Sequence, residues 1–224
     1  LEFRRVLFRS EVKWISYGKT IPPFTEGSIV DLDALVNLQG WTVGAANFIE
    51  NGSVDSLTDL SDAETLPILR MNANANTNVV NIKGFTRKLK EVIQDIKTCR
   101  GMDVIEGSKL RELRNYRQRI DLNDIAQPFG PIIDRIMDSL KEFSSEQSVM
   151  NGLAAARWCQ MHNLYPQAIT FLQETIISII CERHNIALNN EKLRTIVSSS
   201  LRIKFDGTPE ANWRVAEDHK KLCK

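Results

Sequence analysis

A chain of 224 residues is long enough for one large domain with a sizeable buried core, or for one domain and part of another. Its 29 lysines and arginines against 28 aspartates and glutamates leave a formal charge of +1, so any binding of nucleic acid or of an acidic partner must come from a local patch. Four scattered cysteines (Cys99, Cys159, Cys181, Cys223) with no Cys-x-x-Cys pair argue against a disulfide framework or a zinc site, and no apolar run nears the ~18 residues of a membrane span.

Residues 1–10 (LEFRRVLFRS) have no initiator Met and alternate apolar residues with arginines without helical or strand logic. They read as a non-native, adapter-derived segment, the alternative being a frayed basic strand. On the first reading the native sequence is cut at about Glu11. The last residues, through Lys224, run on in a helix-like pattern with no stop signal, so a cut is expected there too. Val12 to Tyr17 is rich in β-branched and aromatic residues and predicts a short strand, followed by a loop from Gly18 to Gly27. From Asp31 the spacing changes to three and four residues (Leu32, Leu35, Val36, Leu38, Trp41, Ala45, Phe48, Ile49). That predicts an amphipathic helix closed by Asn51-Gly52.

An acidic stretch, Asp55 to Glu64, leads to the next long helix, whose core stripe is Ile82, Phe85, Leu89, Val92, Ile93 and Ile96. Gly84 is a weak point within it, and the asparagine-rich residues 71–81 leave its start open. Gly101 ends the element. Further helices are predicted over Glu106–Ile120 and Pro128–Phe143, with Pro131 tolerated near the first turn. The clearest pattern is a helical hairpin between Gln147 and Asn185. Val149, Leu153, Ala156, Trp158 and Met161 precede a break at Asn163, and Ala168, Phe171, Leu172, Ile176, Ile177 and Ile180 follow it. Asn189-Asn190 can cap a helix through Leu201, and Thr208-Pro209-Glu210 can start another. The fold expected is mainly α: a helical bundle with a short N-terminal remnant of a β-strand. No solenoid period emerges, although the hairpin alone resembles one tetratricopeptide-like unit.

Several segments, in order, resemble one family. Trp14-Ile15-Ser16-Tyr17-Gly18-Lys19 resembles the last strand of the CARF sensor domain of CRISPR-associated proteins. Ile29 to Leu35 is similar to the step that follows it into a helix, and Gly40 to Gly52 to that helix, while Ala154 to Glu174 resembles the hairpin of the helical half of CARF–HEPN proteins. The resemblance runs over most of residues 12–202 as spaced apolar and turn residues, without a catalytic signature. It implies that residues 11–30 end a truncated CARF-like α/β domain and that 31–224 form a helical HEPN-like domain. It also implies a parent protein in antiviral defence, a homodimer that cleaves RNA without metal or cofactor once a sensor domain, missing here, binds cyclic oligoadenylate.

HEPN ribonucleases use an Arg-x(4–6)-His motif, in which the histidine moves a proton and the arginine steadies the phosphate. The match here is Arg157-Trp158-Cys159-Gln160-Met161-His162, although the family usually has a polar residue where Trp158 stands. A five-residue step separates two side chains by about 140° on an ideal helix, so the pair can share a site only near a helix end or across a dimer. The alternative makes Arg157 a surface cation and His162 a C-terminal cap, with the real motif beyond Lys224 or lost. Arg183-His184 also reads as a helix-end pair, and His219 as part of a solvated face. Lys109, Arg111, Arg114, Arg117 and Arg119, with Asn115 and Tyr116 among them, are the densest basic cluster. Arg111, Arg114 and Arg117, three apart, make one ridge, and Lys109, Arg111, Arg114 and Arg117 can follow an RNA backbone, a plain basic helix face being the alternative. No phosphate-binding Gly-rich loop, dinucleotide turn, zinc-protease helix or nucleophile elbow is present. The expected function is therefore that of a cytoplasmic ribonuclease fragment. The alternative, from another class, is a non-catalytic helical interaction module.

Overall fold

Helix α3 (Thr77–Lys97) packs on four other helices, and its sequence explains this. Phe85, Leu89, Val92, Ile93 and Ile96 recur at helical spacing and are all buried, while Arg87 and Lys90 stay outside. The computed structural model describes residues 16–19, 28–31, 33–71, 77–121 and 129–206. Within them α3 packs on α2 (Asp55–Met71), α4 (Gly101–Glu106), α5 (Ser108–Arg119) and α7 (Met150–Met161). Helix α1 (Asp33–Asn51) packs on α2 and on α6 (Phe129–Ser139); α7 pairs with α8 (Tyr165–Arg183), and α8 with α9 (Glu191–Asp206). The chain is mainly α-helical, a bundle. Two short strands, β1 (Ser16–Lys19) and β2 (Ser28–Asp31), pair antiparallel ahead of it, with Ser16 opposite Asp31 and Lys19 opposite Ser28. Gly18 and Lys19 continue the strand where a loop is predicted; residues 12–15, the helix predicted after Thr208, and His219 lie outside the described residues.

One main apolar cluster joins Trp41 and Phe48 of α1, Leu57 of α2, Phe85 and Leu89 of α3, Leu113 of α5, Ile136 of α6, Trp158 of α7 and Phe171 of α8. A smaller one, Ile177, Cys181 and Val197, holds α9 on the C-terminal half of α8. Three predicted elements need correction. The acidic stretch after Asp55 is the first half of a full helix, α2. Its inward face carries Ser61 and Thr65 beside Leu57, so apolar periodicity does not reveal it; Ser61 instead accepts a hydrogen bond from the buried Thr86 hydroxyl at 2.9 Å. The predicted helix over 106–120 begins at Ser108, because Gly107, at φ +72°, separates it from α4. Helix α6 stops at Ser139, and residues 140–149 form turns.

The helix ends share a device. At three stops a non-glycine residue adopts the left-handed conformation: Cys99, Asn163 and Asn185. In each case the next N–H reaches back into the helix, Arg100 to the Asp95 carbonyl, Leu164 to Cys159 and Ile186 to Cys181, all at 2.8 Å. This satisfies a carbonyl that the helix end would otherwise leave open. Asn190 caps α9 as its position predicts, its side-chain oxygen accepting the Leu193 N–H at 3.1 Å.

Candidate functional site

Trp158 is buried in α7, its ring 6.4 Å from that of Phe48 on α1. His162 follows one turn later, at the position where the helix closes. Its ring stacks on the indole, centroids 3.9 Å apart, and its Nδ1 lies 2.7 Å from the Trp158 carbonyl. A carbonyl oxygen only accepts, so Nδ1 is the donor in this bond. Nε2 is buried and has no hydrogen-bond partner, and neither has the Trp158 indole N–H. Gly52, left-handed at the end of α1, lies directly over this stack: a Cβ there would sit 2.5 Å from Trp158 Cη2 and 3.3 Å from His162 Cδ2. The Asn51-Gly52 pair therefore does more than cap α1; it leaves the indole room.

Arg157 is exposed and pairs with Glu142 at 3.1 Å. His162 lies on the Trp158 side of α7 and is buried, whereas Arg157 points from an exposed side, so the helical separation of the two persists at the helix end. Both residues border one open cleft of about 310 Å³ between α6 and α7, with Arg135, Lys141, Asp138 and Glu142 on its walls. The cleft thus touches both members of the sequence-predicted pair, though the bonded partners are Glu142 for Arg157 and Trp158 for His162. What it does not present is a histidine nitrogen in contact with solvent, since Nε2 is sealed and Nδ1 is engaged.

A second observation bears on His162. Cys159-Gln160-Met161-His162-Asn163-Leu164 ends α7, and Cys181-Glu182-Arg183-His184-Asn185-Ile186 ends α8. His162 sits at φ −100°, ψ 17° and His184 at φ −99°, ψ 13°, each followed by a left-handed asparagine. The same cysteine, histidine, asparagine and aliphatic residue recur at the same places in both stops. His184 is exposed, so this position in the stop serves the backbone whether or not a cleft lies beside it.

The α5 ridge is engaged inside the molecule. Lys109 bonds the buried Asp95 at 2.5 Å, a hydrogen bond that holds its ammonium above the ordinary value despite desolvation. Arg111 donates to the Ser145 carbonyl at 3.1 and 3.2 Å. Arg114 donates to the Phe143 carbonyl at 2.5 Å and to the Ser145 hydroxyl. Arg117 pairs with Asp134 at 2.5 Å. Three of the four cations therefore tie α5 to α6 and to the turns that follow it. Asn151, fully buried, completes that attachment: it accepts the Ser144 N–H at 2.7 Å and donates to the Val104 and Ser144 carbonyls at 3.1 Å each. Among the described residues no group of three or more His, Cys, Asp or Glu could hold a metal ion, and no helix is long and apolar enough to cross a membrane.

The outer face of α8 departs most from expectation. The hairpin pattern predicts Leu172 and Ile176 in the core beside Phe171 and Ile177; instead Phe171 and Ile177 are buried, and Leu172 and Ile176 are 46% and 44% exposed. With Tyr165 and Ile169, 56% and 58% exposed, they form a row at steps of four, three and four residues. Such a row is one narrow stripe of a helix. Fold and surface together define a helical bundle with an apolar seam on its outer hairpin helix. A scan against family models and a search of curated proteins find no match to this chain.

Proposed function

We propose that this chain is a helical interaction module that docks a partner along the outer face of α8. The observation that carries the reading is the Tyr165–Ile169–Leu172–Ile176 stripe. Burying the exposed half or so of Ile169, Leu172 and Ile176 is worth about 1 kcal/mol apiece, and large contiguous apolar patches on soluble proteins mark interaction sites. Site-specific photo-crosslinking tests it. A benzophenone amino acid at position 172 should give discrete adducts in cells making the chain, whereas one at Arg87, an exposed cation on α3, should not. Equal labelling from both positions, or none from 172, overturns the reading.

One observation favours a second reading, the metal-independent ribonuclease of the CARF–HEPN type: Arg157 and His162 border the same cleft. On that reading the parent is a cytoplasmic, homodimeric antiviral protein driven by cyclic oligoadenylate through a sensor domain. RNA contact by Lys109, Arg111, Arg114 and Arg117 then requires them to release or share their internal partners. Cleavage of labelled single-stranded RNA in excess EDTA, lost in both Arg157→Ala and His162→Ala, is the expected result. Cleavage that is absent, or that survives either substitution, overturns it.

A further inference from the structure

The stripe on α8 has the form of half a coiled-coil seam. Its steps of four, three and four residues, with a further step of three to the half-buried Ile179, average 3.5. Within that band, from Tyr165 to Ile179, every position is apolar; the next step of four ends at the exposed Arg183. Resting on the interaction-module reading, we propose that the partner is a second copy of this chain, its α8 lying antiparallel across the first.

The pairing follows from the spacing. Laid antiparallel about a two-fold axis near residue 174, Leu172 faces Ile176 of the other copy, Ile169 faces Ile179, and Tyr165 faces Arg183. The inner layers are apolar on both sides, and the outermost sets a guanidinium against an aromatic ring, an attractive contact. The flanking positions nearest the axis bring Gln173 against Gln173, two neutral amides that can hydrogen-bond. A parallel arrangement would instead stack Arg183 on Arg183, where like charges repel. Area decides whether the seam suffices. The four exposed side chains offer roughly 400 Å² of apolar surface per copy, the size of the largest patch on an ordinary monomer, which is often functional. Two copies together bring about 800 Å², and the flanking Pro166, Gln173 and Ile180 carry the total toward the ~1,200 Å² at which stable interfaces begin.

Sedimentation equilibrium of the full chain tests the proposal. The mass should rise with concentration from 25.5 kDa toward twice that value. Leu172→Glu alone and Ile176→Lys alone should each weaken association by about 30-fold or more, with unchanged far-UV circular dichroism because both side chains are exposed. Mixing the two variants should restore dimer, since the antiparallel register puts the new Glu opposite the new Lys and leaves Ile176 on Leu172 in the other central layer. A dimer indifferent to both substitutions, or variants whose mixture does not recover, overturns the antiparallel α8 seam. A wild-type chain that stays monomeric while position 172 crosslinks to another protein overturns self-association but keeps the module reading; a monomer without crosslinks sinks both.

Discussion

Gly84→Ala sets two opposing effects against each other inside α3. A glycine in a helix interior costs about 1 kcal/mol relative to alanine, so on propensity alone the substitution stabilises. The packing says otherwise. A Cβ at residue 84 would lie 2.6 Å from Cζ and 2.7 Å from Cδ1 of Tyr116, along one edge of a ring packed between α3 and α5. Rotating the ring about its own axis does not clear that edge, so either the ring or helix α5 must move, and overpacking of this kind costs about 1–3 kcal/mol. The expected net is a loss of about 1 kcal/mol, or roughly 2–4 °C in Tm. Urea unfolding of four proteins measures it: wild type, Gly84→Ala, Tyr116→Ala and the double variant. In the Tyr116→Ala background the clash is gone, and Gly84→Ala should stabilise by up to about 1 kcal/mol. Stabilisation of similar size in both backgrounds would refute the reasoning.

Asn151→Ala should destabilise by about 3 kcal/mol in the same assay, because it leaves the Ser144 N–H and the buried Val104 carbonyl without their partner. Burial pushes the Cys159 thiol up to about 12 and also raises Cys99 and Cys181, so native alkylation of all three at pH 8 should be far slower than in urea, as peptide mapping would show. Burial pulls the Glu91 carboxyl upward, but hydrogen bonds from Lys88 and Arg87, aided by their charges, outweigh it and hold it below the usual range. Its stabilisation is therefore present above the unfolded value, about 4.3, and is lost as pH falls through the lower folded value. Glu91→Gln should accordingly flatten the acid limb of the stability–pH curve below about pH 4.5.

What was legible in the sequence was the spacing of apolar residues around single-faced helices. Phe85, Leu89, Val92 and Ile96 mark α3 because only one side of it is apolar. Helix α8 is apolar on two sides, so periodicity alone cannot say whether Phe171 or Leu172 faces inward, and it placed both there. Helix α2 hid for the opposite reason: hydroxyls line its buried face, and it carries Pro67 within it. For the candidate site, the spacing of Arg157 and His162 was readable, as was that of the α5 arginines. Their partners were not, since Arg114 spends its donors on residues 143 and 145, some thirty residues away. The buried asparagines fall in the same class: Asn78 and Asn81 look like low-complexity filler, yet Asn81 donates to the Arg119 carbonyl at 2.9 Å and Asn78 accepts the Asp121 N–H at 2.8 Å.

The matching terminations of α7 and α8 behave as a portable part. Transplanting the sequence of Cys181–Ile186 onto positions 159–164 alters only three side chains: Gln160 and Met161, both exposed, and Leu164, which would become isoleucine. Such a graft should hold its hairpin and melt within a few degrees of the parent, since an aliphatic swap of equal volume usually costs less than about 1.5 kcal/mol. The residue ahead of each stop is not portable in this way. Where α8 has Ile180, α7 has Trp158, roofed by Gly52 and floored by an imidazole. Two copies of one local word have thus been set in different surroundings, and the tryptophan, more than the histidine, is where α7 became individual.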